Sequence, residues 1–144
     1  MNGQNYANHR RYVPMFHIVL FGLILLTIAG SFVNLFESLG DHERLYGASL
    51  ITVISICLLF FFFFCRIFPA RAQDRAIRAE ENLRHFVLTG KLLDPRLTIR
   101  QVIALRFASD GEFVALARRA AEEQMSQDDI KRAVTAWRPD YHRA

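Results

Sequence analysis

The chain has 144 residues, 52% hydrophobic and 22% charged, with a formal net charge of +4. That length leaves room for one soluble domain of ordinary size at most. Its two cysteines, Cys57 and Cys65, sit in one apolar block and form neither a disulfide framework nor a zinc pattern; they read as small hydrophobes. A mean hydropathy of only +0.14 averages two opposed parts. Of the 18 Lys+Arg, only Arg10, Arg11 and Arg44 precede Arg66, and the apolar blocks lie before it.

Residues 1–12 bring Tyr6 and Tyr12 close to His9, Arg10 and Arg11, the composition of a segment at the membrane interface. Residues 13–36 contain no Asp, Glu, Lys or Arg, and His17 is their one titratable group. About 20 such residues cross a hydrocarbon core of about 30 Å, so a first transmembrane helix is predicted here, with Pro14 in its first turn. A cleaved signal peptide is the competing reading, with Arg10 and Arg11 as its basic region and Ala29 to Ser31 as small residues. The apolar run exceeds the roughly 7–15 residues of such a core. Residues 37–44 form a polar turn containing Gly40, and residues 45–68 form a second span in which Leu58 to Phe64 are all Leu or Phe. So short a turn predicts an antiparallel hairpin. Arg10 and Arg11 before it, and Arg66, Arg71, Arg75 and Arg78 after it, place both termini in the cytoplasm.

Within the spans, Thr27, Gly30, Ser31 and Asn34 share one helical face, as do Ala48, Thr52 and Ser55. Small and hydroxyl residues let membrane helices approach closely, so these seven are predicted to form the hairpin contact. His17 and Asn34 lie near span ends and read as anchors or packing groups rather than a proton relay.

Residues 69–144 are predicted as a helical cytoplasmic tail. Ala72, Ala76, Ala79, Leu83 and Phe86 recur at 4-3-4-3 spacing, an apolar seam that suits an oligomeric partner. Its flanks offer the i,i+4 pairs Asp74–Arg78 and Glu80–Arg84. Gly90 supplies a stop and Asp94-Pro95 a turn. Three capping signals come next: Thr98 with Gln101, Ser109 with Glu112, and Ser126 with Asp129. Behind them run the faces Ile99, Val102, Ile103; Phe113, Leu116, Ala117, Ala120, Ala121; and Ile130, Ala133, Val134, Trp137. The predicted fold class is all-α: a two-helix transmembrane hairpin followed by a small cytoplasmic helical bundle.

Four blocks carry a resemblance: Asn5 to His17 (NYANHRRYVPMFH), Gln73 to Arg84 (QDRAIRAEENLR), Ala104 to Asp110 (ALRFASD) and Trp137 to His142 (WRPDYH). In combination the chain resembles a family of small bacterial two-span membrane proteins of uncharacterised function. The resemblance implies the bacterial inner membrane and carries no activity or site residues to transfer.

Function is therefore weighed on architecture. A non-enzymatic scaffold or accessory subunit, self-associating or held in a larger membrane complex, fits the seam and a tail too small for a pocket of its own. The alternative is a protomer of an oligomeric small transporter or channel, its polar stripes lining a path. The tail's arginines are interleaved with acids, so nucleic acid is not expected as a partner. No catalytic, cofactor-binding or metal-ligating constellation is predicted, and no cofactor is implied.

Overall fold

A computed structural model of the chain describes residues 4–8 and 12–140. Among them the architecture is all-helical, with no strand. A π-helical segment, Met15–Leu20, runs into α1 (Phe21–Glu37); α2 (His42–Thr89), α3 (Ile99–Leu105), α4 (Asp110–Glu122) and α5 (Gln127–Ala133) come after it. The chain divides into two compact units, one of Tyr12–Phe68, the other of the residues from Pro69 onward together with the N-terminal segment.

The predicted boundary at residue 69 is not a helix end. Helix α2 continues through Pro69 to Thr89. Proline forgoes one bond to the carbonyl four residues back, here that of Cys65. The strong helix formers Ala70, Arg71, Ala72 and Gln73 then carry the helix on. It stops at Gly90, whose φ of +72° is open to glycine without steric cost.

In the unit of Tyr12–Phe68, α1 and α2 run antiparallel. Ile24 and Ser31 are buried on α1, with Ile28 and Leu35 half-buried between and beyond them, and Ser38 buried just past its end. Ala48, Thr52 and Ser55 are buried on α2. The Ser31 and Ser55 hydroxyls are 3.0 Å apart, and Thr52 Oγ1 donates to the Ser31 carbonyl at 3.2 Å. Towards the other end aromatic rings replace hydroxyls: Phe62 stacks on Phe16 with centroids 4.4 Å apart and lies 5.3 Å from Phe21. The remaining surface is apolar and uncovered, with Leu26 71% and Phe61 66% exposed.

In the second unit α3, α4 and α5 enclose a core of Val102, Leu105, Phe113, Leu116 and Ile130. The Thr98–Gln101 capping box forms, and Ser126 Oγ accepts the Asp129 N–H. Helix α4 closes with Gln124 in the left-handed region (φ 50°) and the Met125 N–H on the Ala120 carbonyl at 3.2 Å, a Schellman arrangement. Trp137 is not on a helix as its spacing predicted. Helix α5 ends at Ala133, and the chain then bends at Thr135 and Ala136 before Trp137 bridges to Ala108. The Ser109 N–H donates to the Ala136 carbonyl at 3.0 Å, and the Arg138 N–H to the Phe107 carbonyl at 2.7 Å. The indole packs on Phe107, centroids 4.9 Å apart.

Candidate functional site

Beyond Pro69, α2 has two opposite faces. One is committed to the bundle: Ile77 and Glu81 are buried and Arg84 is nearly so. Arg84 donates to Glu81 at 3.0 Å, to Asp110 at 2.7 Å and to the Ala108 carbonyl at 2.7 Å, and its guanidinium lies over the Phe113 ring at 4.3 Å. A buried arginine is tolerated only when its donors are satisfied and countercharges are close. Here those requirements are met by Glu81 on α2 itself, by Ala108 on the turn between α3 and α4, and by Asp110 at the start of α4, so the side chain pins the end of α2 to the bundle. Arg84 pairs with Glu81, not with Glu80 as its i,i+4 spacing suggested. Arg78 directs a donor at the Leu97 carbonyl at 3.4 Å, and no Asp74–Arg78 ion pair forms.

The other face is the seam. Ala72, Ala76 and Ala79 are exposed, as are Leu83 at 63%, Phe86 at 51% and the adjoining Val87 at 75%. At 100° per residue the seam centres roughly 150° from the stripe of Ile77, Glu81 and Arg84. Helix α2 thus packs on the bundle through a face that the apolar spacing did not mark, because its key members are charged.

Of the seven residues predicted for the helix contact, Ser31, Ala48, Thr52 and Ser55 come together, while Thr27, Gly30 and Asn34 are exposed. Thr27 Oγ1 is occupied by the Leu23 carbonyl at 2.8 Å in its own helix. The contact stripe of α1 runs instead through Ile24, Ile28, Ser31, Leu35 and Ser38, a 4-3-4-3 pattern that mixes isoleucine and serine. Following polarity alone drew the face too far round the helix.

His17 is held locally: its Nδ1 lies 2.9 Å from the Val13 carbonyl, and its ring stacks on Tyr12 at 4.8 Å. Among the described residues no three His, Cys, Asp or Glu side chains gather as a metal site. The predicted neighbours of Tyr6 (His9, Arg10, Arg11) lie outside the described residues. Tyr6 itself reaches α5, donating to Asp128 at 2.7 Å and lying under the Arg132 guanidinium at 5.5 Å. Gln4 Oε1 accepts the Asp140 N–H at 2.7 Å. Residues 4–8 are thus a strap across the C-terminal part of the bundle, a contact no local pattern signals.

Strap, apolar helices and bundle all fall within one family match, which spans residues 1–144 and is to DUF6526, a family of unknown function. The chain belongs to that family. No curated protein and no solved structure matches it. Membership in DUF6526 carries no assigned activity and leaves function to the surfaces just described.

Proposed function

We propose that the protein is a two-span subunit of a bacterial inner-membrane assembly, acting as a non-enzymatic scaffold or accessory component, with both termini in the cytoplasm. The membrane reading is supported by two helices long and apolar enough to cross a bilayer, of which only 11% and 17% of the apolar windows are buried. A core helix of a soluble protein would be mostly covered. Leaving Leu, Ile or Phe side chains in water costs about 1.5–3 kcal/mol each relative to burial, so this surface calls for lipid. A same-side placement of the two ends draws on the strap: Gln4 and Tyr6 belong to one compact unit with Asp128 and Asp140. Such contacts cannot form across a bilayer, so the number of crossings between them is even. The arginines from Arg66 to Arg78 support the cytoplasm as that side.

The observation that carries the functional reading is the exposed seam. A helix with one face pinned to its own bundle and Leu83, Phe86 and Val87 bare on the other is built to be covered by a partner. The test is replacement of Leu83 and Phe86 by Asp in the full chain, expressed in its native membrane. Mild-detergent extraction should show a wild-type particle larger than one chain and a variant that inserts normally but runs as a single chain. A wild-type protein that is monomeric and without partners in several mild detergents and in nanodiscs refutes the proposal.

A further inference from the structure

We infer that the seam is covered by a second copy of this chain, parallel and in register about a two-fold axis; this rests on the reading of the seam as an interface. In heptad terms Ala72, Ala79 and Phe86 occupy d positions and Ala76 and Leu83 occupy a positions. Position g then falls on Arg75 and position e on Glu80, and both are exposed, one on each side of the seam.

In a parallel pair each g residue faces the e residue five positions later in the partner. Arg75 therefore faces Glu80 of the second copy, and the symmetry makes that contact twice. An antiparallel pair, whose layers set a against d, brings Ala72 opposite Leu83 and Ala76 opposite Ala79, which is sterically acceptable. It leaves Glu80 facing the neutral Gln73 and Arg75 facing the neutral Asn82, so both charges lose their partner. The charges thus select the parallel arrangement, and two copies inserted with the same topology present their seams in that direction. Three alanines in succession let the backbones approach closely, and Leu83 and Phe86 fill the end beside Gly90.

Charge reversal and crosslinking in the full-length protein test the register. Arg75→Glu and Glu80→Arg should each weaken self-association roughly threefold to tenfold, as two exposed pairs turn from attraction to repulsion. The double variant Arg75→Glu/Glu80→Arg should restore it. With Cys57 and Cys65 replaced by Ala, Ala72→Cys should form a disulfide-linked dimer on mild oxidation, and Arg78→Cys, off the seam, should not. In an antiparallel pair the two introduced thiols would stand about 17 Å apart along the axis. Association that is lost with Leu83→Asp yet gives no crosslink from Ala72→Cys and ignores charge reversal overturns the parallel dimer while keeping the seam as an interface. One copy held by a different protein does the same. A monomeric wild type overturns both.

Discussion

Glu112 offers the sharpest quantitative test of the bundle. Its Oε2 accepts the Thr135 N–H at 3.1 Å and the Thr135 hydroxyl at 2.7 Å, while Oε1 accepts the Ala136 N–H at 3.1 Å and the Ser109 N–H at 3.4 Å. One carboxylate thus ties the start of α4 to the segment that carries Trp137. Glu112→Gln keeps the shape, and its better amide orientation turns the NH₂ to Thr135, whose hydroxyl can rotate to accept but whose N–H is left without its acceptor. One bond is lost, and the survivors no longer run to a charge. Net bonds to a charged acceptor contribute about 1.5–3 kcal/mol when buried. Glu112 is half-exposed, which reduces that, so the expected loss is about 1–2 kcal/mol, or roughly 4–16 °C in Tm for a unit of this size. Trp137 is the single tryptophan, so its fluorescence reports this segment directly during melting of the full chain in mild detergent. Burial pushes the Glu112 pKa up, but the bonds from Thr135, Ala136 and Ser109 outweigh it and hold the group below its ordinary 4.5. A lowered folded pKa means that the stabilisation is complete above about pH 4.5 and is lost as pH falls through the folded value. The gap between wild type and variant should therefore be widest near neutrality and close in acid. An unchanged midpoint at pH 7, or a gap that widens in acid, refutes the reasoning.

Two further substitutions separate positions that look alike in sequence. Ala48 is 2% exposed, and Ala48→Leu should cost about 1–3 kcal/mol by overpacking the α1–α2 contact. Nothing lies within 4 Å of a Cβ placed at Gly30, so Gly30→Leu should leave that contact intact. Disulfide trapping between cysteines placed at Ser31 and Ser55 reads both, and equal damage from the two would contradict the assignment of faces. At the end of α4, Gln124→Gly should stabilise the bundle by about 0.5–1 kcal/mol, because a left-handed residue costs a side chain about 1–2 kcal/mol. A lower urea midpoint would show that the Gln124 side chain contributes something its backbone does not.

Local chemistry was legible in the sequence and long-range pairing was not. The Thr98 and Ser126 caps, the Gly90 stop and the apolar face of α4 arise from neighbouring residues, and they sit where their spacing put them; α3 instead buries Gln101, Val102, Ala104 and Leu105, leaving Ile99 and Ile103 only half-buried. The same holds for the burial of Ser31, Ala48, Thr52 and Ser55. Pro69 does not end α2, because a single lost hydrogen bond is outweighed by the helix propensity of Ala70 to Gln73, and the division between the two compact units falls there all the same. Trp137 fits a helical period from Ile130, yet Glu112, 23 residues before Thr135, captures the backbone donors that another turn of helix would have used. Arg84 had an acidic residue at i−4, but Glu81 at i−3 faces the bundle together with Asp110, and burial decided the partner. Tyr6 carried aromatic and basic neighbours suited to a lipid surface, and nothing near it in sequence points to Asp128.

That last contact fixes an order of events. Tyr6 is separated from Asp128 by 122 positions and Gln4 from Asp140 by 136. At about 5–20 residues per second, the first part of the chain waits roughly 6–27 s for its seat to be synthesised. The strap is therefore among the last tertiary contacts available to a growing chain, after every residue of the apolar helices has been made. A chain cut short before Asp128 lacks the carboxylate to which the Tyr6 hydroxyl donates and the backbone on which Gln4 is seated. Seating of Gln4 and Tyr6 therefore waits on the segment from Asp128 to Asp140, and protease sensitivity near Tyr6 would report whether that segment is in place.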